Sequence, residues 1–139
     1  MTNSVVKESL HADHPQTPQQ AFMQRMQDAK AAGDAAPLAG DAAPRDGKAW
    51  LHAAHSIKGV SRYLDIPVPL VLPLRDGGVG VEWHECGLNI ELRFRYSARA
   101  YVLIEDVRGI IPAHQSEDHF FMWSETALRE LSERRRKAG

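Results

Sequence analysis

The sequence predicts an α+β fold: an antiparallel three- or four-stranded meander packed against two helices, behind a mobile N-terminal region. Three observations carry that expectation. Val79, Val81 and Trp83 alternate with Gly80, Glu82 and His84. Leu88, Ile90, Leu92, Phe94 and Tyr96 alternate with Asn89, Glu91, Arg93 and Arg95, so both runs have the period of two that marks half-buried strands. Trp50, Leu51, Ala54 and Ile57 recur at helical spacing, as do Ala127, Leu128 and Leu131. A chain of 139 residues has room for one such core and not for two.

In chain order, Met1 to Thr17 is polar without an apolar period and reads as a mobile tail. Thr17 can cap a helix, Pro18 suits its first position and Gly33 its stop. Phe22, Met26 and Ala29 share one face of it. That stripe is narrow, so the helix is expected to be loosely docked or to await a partner. Gly-Asp-Ala-Ala-Pro then occurs twice, at Gly33–Pro37 and Gly40–Pro44, a local duplication that buries little. The expected domain boundary is near Gly47. Residues 1–47 hold the tail, the short helix and the linker, and residues 48–139 the α+β domain.

Asp46 can cap a helix starting at Lys48, which turns irregular by Leu64. Pro67, Pro69 and Pro73 lack the N–H groups of a central strand, so the segment is expected to run over the core or along a sheet edge. Asp76-Gly77-Gly78 reads as a turn. Ala100 to Val107 is the third strand, Ile110 and Ile111 begin a short fourth, and Ala113 to His119 reads as loop. Ser124 is the expected cap of the last helix, with Glu125 in its first turn and Arg134 to Lys137 at its end, where the helix dipole favours cations.

Register follows from requiring one apolar face, because a one-residue slip inverts every side chain. A two-residue turn at Cys86-Gly87 sets Trp83 opposite Ile90, Val81 opposite Leu92 and Val79 opposite Phe94. A three-residue turn at Ser97-Ala98-Arg99 sets Phe94 opposite Val102 and Leu92 opposite Ile104. By subtraction the other face carries Glu82, His84, Glu91, Arg93, Arg95, Tyr101, Leu103 and Glu105. Glu82, Glu91 and Glu105 then form one row of like charges, which Arg93 and Arg95 can offset diagonally. Tyr101 falls opposite Arg95, where a cation–π contact can form.

The 17 Lys and Arg against 18 Asp and Glu argue against a global polyanion binder. A single cysteine, Cys86, excludes an internal disulfide and suits a reducing, cytoplasmic setting. No apolar run approaches the roughly 20 residues of a membrane span, and Met1 to His14 lacks the apolar core of a secretion signal. His52 and His55 share one side of a helix, and His84 and Cys86 face the same way on a strand. Those four types could ligate zinc, yet their spacing matches no tight ligand motif, so no metal or other cofactor is assigned. The carboxylate row with Asp106 could in principle hold a hard cation or do acid–base work, but the strands carry no lysine to complete a nuclease-like site. No nucleophile elbow or phosphate-binding loop is present. No catalytic residue is assigned, and the chain is expected not to be an enzyme.

Asp76-Gly-Gly-Val-Gly-Val-Glu-Trp-His-Glu-Cys-Gly-Leu-Asn-Ile-Glu-Leu resembles a pattern in small bacterial proteins of no established activity. In that pattern an Asp-Gly-Gly-Val turn leads to a Leu-Glu-Trp-His strand, then Gly and a Leu-Glu-Ile strand. The likeness spans about Pro73 to Asp106; Val81 replaces the usual Leu and Cys86 sits in the turn. It implies a bacterial or phage source and the same hairpin. With no catalytic constellation, the expected function is a non-catalytic protein-binding module, such as an antitoxin-like, immunity or anti-defence inhibitor that occludes its partner. The mixed sheet face and the Phe22–Met26 helix are the expected contacts. The alternatives are a zinc enzyme built on His52, His55, His84 and Cys86, and a nucleic-acid accessory factor using Arg129 and Arg134 to Lys137.

Overall fold

A computed structural model describes residues 16–35, 46–62, 64–95 and 99–138. Most of the expected tail and linker, and Tyr96, Ser97 and Ala98, lie outside the described residues. Within them the chain forms α1 (Pro18–Ala35), α2 (Gly47–Ser61), β1 (Leu70–Pro73), β2 (Val79–Glu85), β3 (Leu88–Arg95), β4 (Arg99–Asp106), β5 (His114–Ser116) and α3 (Phe120–Ala138). The strands make one antiparallel sheet in the order β1-β2-β3-β4-β5, an α+β meander with all three helices against it. The sheet thus has five strands where three or four are expected, and three helices where two are.

The inner face buries Val79, Val81, Trp83, Leu88, Ile90, Leu92, Phe94, Val102 and Ile104. Each fully buried aliphatic or aromatic side chain contributes about 1.5–3 kcal/mol of transfer free energy. Helix α2 adds Ala49, Trp50, Ala53 and Ile57, and α3 adds Phe120, Ala127, Leu128 and Leu131. Leu51 points to solvent instead of inward, and its place is taken by Ala49 and Ala53. Small residues on that stripe let α2 approach the sheet closely. Helix α1 places Phe22, Met26 and Ala29 in the same core and packs along β1 and α2. Thr17 and Gln20 close its N-terminus reciprocally: the Gln20 N–H donates to Thr17 Oγ1 at 3.1 Å, and the Thr17 N–H to Gln20 Oε1 at 2.9 Å. With Phe22 and Met26 buried, this helix face is not available as an external contact.

The first turns are set by backbone chemistry. Asp46 caps α2 through the Lys48 N–H, at 3.0 Å. The carbonyl of Gly77 then accepts from the Asp46 N–H at 2.7 Å and from Trp50 Nε1 at 3.1 Å, which ties α2 to the β1–β2 turn. Gly77 holds φ +88° there. A Cβ at Gly78 would lie 2.1 Å from the Phe94 carbonyl oxygen, so the Gly-Gly pair answers one conformational and one steric demand. Trp83 Nε1 donates to the Pro67 carbonyl at 2.8 Å. The proline-rich segment therefore lies on the core before joining the sheet edge as β1, as its missing donors require.

The β2–β3 register is the expected one, with Trp83 opposite Ile90, Val81 opposite Leu92 and Val79 opposite Phe94. Cys86 (φ 56°) and Gly87 (φ 77°) both occupy the left-handed region that a tight two-residue hairpin needs. The β3–β4 register differs by two residues. Ala100 faces Phe94, Val102 faces Leu92 and Ile104 faces Ile90. The parity is kept, so every side chain stays on its expected face while its cross-strand partners change. Two rival loop positions of equal length give the same alternation, and only packing chooses between them.

The C-terminal third departs further. Ile110 and Ile111 form no strand, because Asp106 Oδ2 accepts both their N–H groups at 2.9 Å and folds the loop back. The fifth strand is instead His114–Ser116, inside the expected loop, pairing the β4 edge. His114 and Ser116 are its inward residues, and His114 stacks on Trp123 with ring centroids 4.5 Å apart. An imidazole thus fills an apolar position that the sequence marks as polar. Helix α3 begins at Phe120 and not at Ser124. Ser124 is buried inside the helix, and its hydroxyl donates back to the Phe120 carbonyl at 2.6 Å.

Candidate functional site: the outer face of the sheet

Strand pairing turns the outer face into rows, the last of which sets Arg95 opposite Arg99. Leu70, Glu82, Glu91, Leu103 and Gln115 lie directly opposite one another across all five strands. Leu72, Gly80, Arg93 and Tyr101 form the second row, and His84, Asn89 and Glu105 the third. The helices bury the opposite side chains, so among the described residues no helix covers this face. Its apolar members stand on two flanks: Leu70 and Leu72, 51% and 44% exposed, on β1, and the half-buried Tyr101 and Leu103 on β4. Charged and polar groups fill the strip between them.

The register shift decides the electrostatics. Glu105 faces Asn89 and leaves the row expected for it; Leu103 takes the position beside Glu91. Two carboxylates, Glu82 and Glu91, therefore remain directly opposite. Each has its own partner. Glu82 Oε1 meets His84 Nε2 at 2.8 Å, and Glu91 Oε1 accepts from Arg93 Nη2 at 3.2 Å. The Glu82 carboxylate, then the Asn89 amide, raise the His84 pKa above its ordinary value. The cation over Tyr101 is Arg93, 5.9 Å from the ring centroid, and not Arg95. Arg95 binds Asp76 at 2.9 Å. Burial pushes the Asp76 carboxyl up, but the Arg95 hydrogen bond and the Gly78 N–H outweigh it and hold the group below its usual range.

The four residues considered for zinc do not converge. His52 packs its ring edge against Phe94 on the inner face, centroids 5.0 Å apart, whereas His84 stands on the outer face. Cys86 sits against the core at the hairpin tip. The basic C-terminal segment is likewise divided. Arg134 is buried: its guanidinium donates to both oxygens of Asp106, at 3.0 and 2.8 Å, and to the Cys86 carbonyl at 2.9 Å. Arg129 is held by Glu125 and Arg136 by Glu133. Arg135 reaches Asp65 and Glu85. Of the basic residues named for nucleic acid, Arg134 is thus withdrawn from solvent, whereas Arg129 and Arg136 stay exposed in surface pairs.

Sequence alone misses Leu70 and Leu72 as members of this face. Their alternation with Val71, which pairs with buried Val81, is the signal, masked by the flanking prolines. A second surface feature lies at the inner side's rim. There His52, Arg99, Glu117, His119 and Phe121 line a groove of about 570 Å³. Phe121 is 68% exposed beside it. Arg99 and Glu117 close on each other across the rim at 3.0 Å.

Among the described residues no helix is long and apolar enough to cross a membrane. No protein-family model, curated protein or solved structure matches the chain.

Proposed function

We propose that the protein is a non-catalytic protein-binding module whose contact surface is the outer face of the sheet. The observation that carries this reading is the arrangement of two apolar flanks, Leu70 with Leu72 and Tyr101 with Leu103, around a charged strip on a face without a helical cover. Aromatic and aliphatic anchors inside a polar surround are what interface hot spots are made of. Contacts within the strip already orient its side chains: Glu82 pairs with His84, and Arg93 with Glu91 and the Tyr101 ring. Pre-set side chains reduce the ordering cost of association. Such a module acts by covering a surface of its partner, as an antitoxin-like, immunity or anti-defence inhibitor does.

The test is capture of a partner from the native host extract by the full chain, repeated with L72E, Y101A and R95E. The reading expects Y101A and L72E to weaken the captured complex by tenfold or more, with R95E reducing it further through charge. F121A, on the groove away from this face, serves as the control and leaves capture unchanged. Undiminished capture by Y101A and L72E, with loss in F121A, overturns the outer face in favour of the groove.

A further inference from the structure

Glu82, His84 and Glu91 bring two carboxylate oxygens and one imidazole nitrogen within 4.8 Å of one another. Strand geometry produces the cluster. Residues 82 and 84 are two apart on β2 and so project to the same side, and residue 91 is the direct partner of residue 82 on β3. We propose that this triad is a binding site for a borderline first-row divalent ion of the zinc type. The chemistry of the donors selects the class. An imidazole with carboxylates suits zinc-type ions, whereas magnesium and calcium favour all-oxygen shells.

The imidazole is already set for the task. Asn89 Oδ1 lies 3.0 Å from His84 Nδ1 and Glu82 Oε1 2.8 Å from Nε2, so both ring nitrogens face acceptors and an ion at Nε2 takes the place of the proton there. Ligating histidines are oriented in just this way, by an acceptor on the nitrogen that does not bind the ion. The His84–Glu82 ion pair accounts for one contact of the three. The second carboxylate, Glu91, pairs with Arg93 Nη2 at 3.2 Å, so an ion held by the three groups displaces that surface pair as well as the His84–Glu82 one. Tetrahedral ligands at about 2.1 Å from zinc are spaced by roughly 3.4 Å. The half-buried carboxylates must rotate away from their present partners to bring the three atoms to that spacing, with water in the fourth position. An ion there neutralises two like charges that stand directly opposite. The site does not rest on the partner reading above.

The experiment is calorimetric titration of the metal-free full chain with zinc ion, alongside H84A, E91Q and N89A. With 7 histidines in the chain, the readout is the difference between wild type and variants. The expected result is one more zinc bound by wild type than by H84A, with E91Q and N89A weakening that site about tenfold or more. Magnesium at the same concentration leaves the zinc isotherm unchanged. His84 and Glu91 are surface positions, so unchanged thermal melts of the metal-free variants certify their folding. Superimposable isotherms for wild type and H84A overturn the site, as does full retention of it in E91Q.

Discussion

The two faces of one sheet hold themselves together by different physics. On the inner face, Phe94, Ile90, Leu92, Val79 and Val102 are sealed from water and make contacts on every side. On the outer face the side chains hold one another through exposed ion pairs and one cation–π contact. Area removed from water dominates the first, whereas solvent screening leaves each outer pair worth about 0–1 kcal/mol. The backbone is common to both, and the same β2–β3 register that sets Trp83 against Ile90 sets Glu82 against Glu91. The sheet is therefore stabilised mainly from one side, and the side chains of the other contribute little to folding.

The largest expected effect follows from that division. Phe94 contacts His52 and Phe120 edge-to-face, at 5.0 and 5.6 Å, and is wholly buried. Phe94→Ala is expected to cost about 3–5 kcal/mol, seen as a lower urea midpoint. A loss under about 1 kcal/mol would break the comparison at its stronger side.

Next comes a buried charge pair that ties the C-terminal helix to the end of β4. Arg134 and Asp106 have side chains 3% and 0% exposed. The Arg134 guanidinium holds the Asp106 carboxyl far below the usual carboxylate range, against the cost of burial, with the Ile111 and Arg108 N–H groups adding to it. Asp106→Ala strands the guanidinium in the interior and is expected to cost about 3–5 kcal/mol. The double variant with Arg134→Met should lose less than the two single losses added together, which a mutant cycle measures. The pH dependence has a definite sign. A depressed carboxyl binds its proton less readily folded than unfolded, so its stabilisation is complete above the unfolded pKa of about 3.9 and is lost as pH falls below it. Acid titration of the urea midpoint should slope steeply below about pH 4 in wild type and more shallowly in Asp106→Ala.

Legibility in the sequence follows the same division. Alternation reveals the inner face wherever apolar residues occupy it, which fixed the β2–β3 pairing and both faces of β3 and β4. It is blind to shifts of two residues, and that blindness misassigned the partners of Tyr101 and Glu105. It fails again where a polar residue takes an inward position, as the half-buried His114 does on β5 and the buried Ser124 does in α3. The Asp106–Arg134 pair has no local signature, since its members are 28 residues apart in sequence and meet only when α3 docks. The three-residue apolar stripe of helix α1 points to a helix loosely docked or awaiting a partner. Three residues suffice when β1 offers them an edge and Arg25 donates to the Pro69 carbonyl at 2.8 Å.

The smallest expected effect tests the weaker side of the comparison. Glu91 stands directly opposite Glu82 and donates nothing to the core. Glu91→Gln removes a like-charge opposition and, at the same time, the ion pair with Arg93. Both terms are screened at a surface site, and they have opposite signs. The net change in stability is expected to stay within about 0.5 kcal/mol. Urea midpoints at low and at 1 M salt separate the two terms, because a Debye length of about 3 Å at 1 M suppresses both. Near coincidence of wild type and variant at both salts would place the outer face outside the fold's stability. A loss above about 1 kcal/mol at either salt would mean that the carboxylates hold the sheet together, and the face would then owe its charges to folding and not to a ligand.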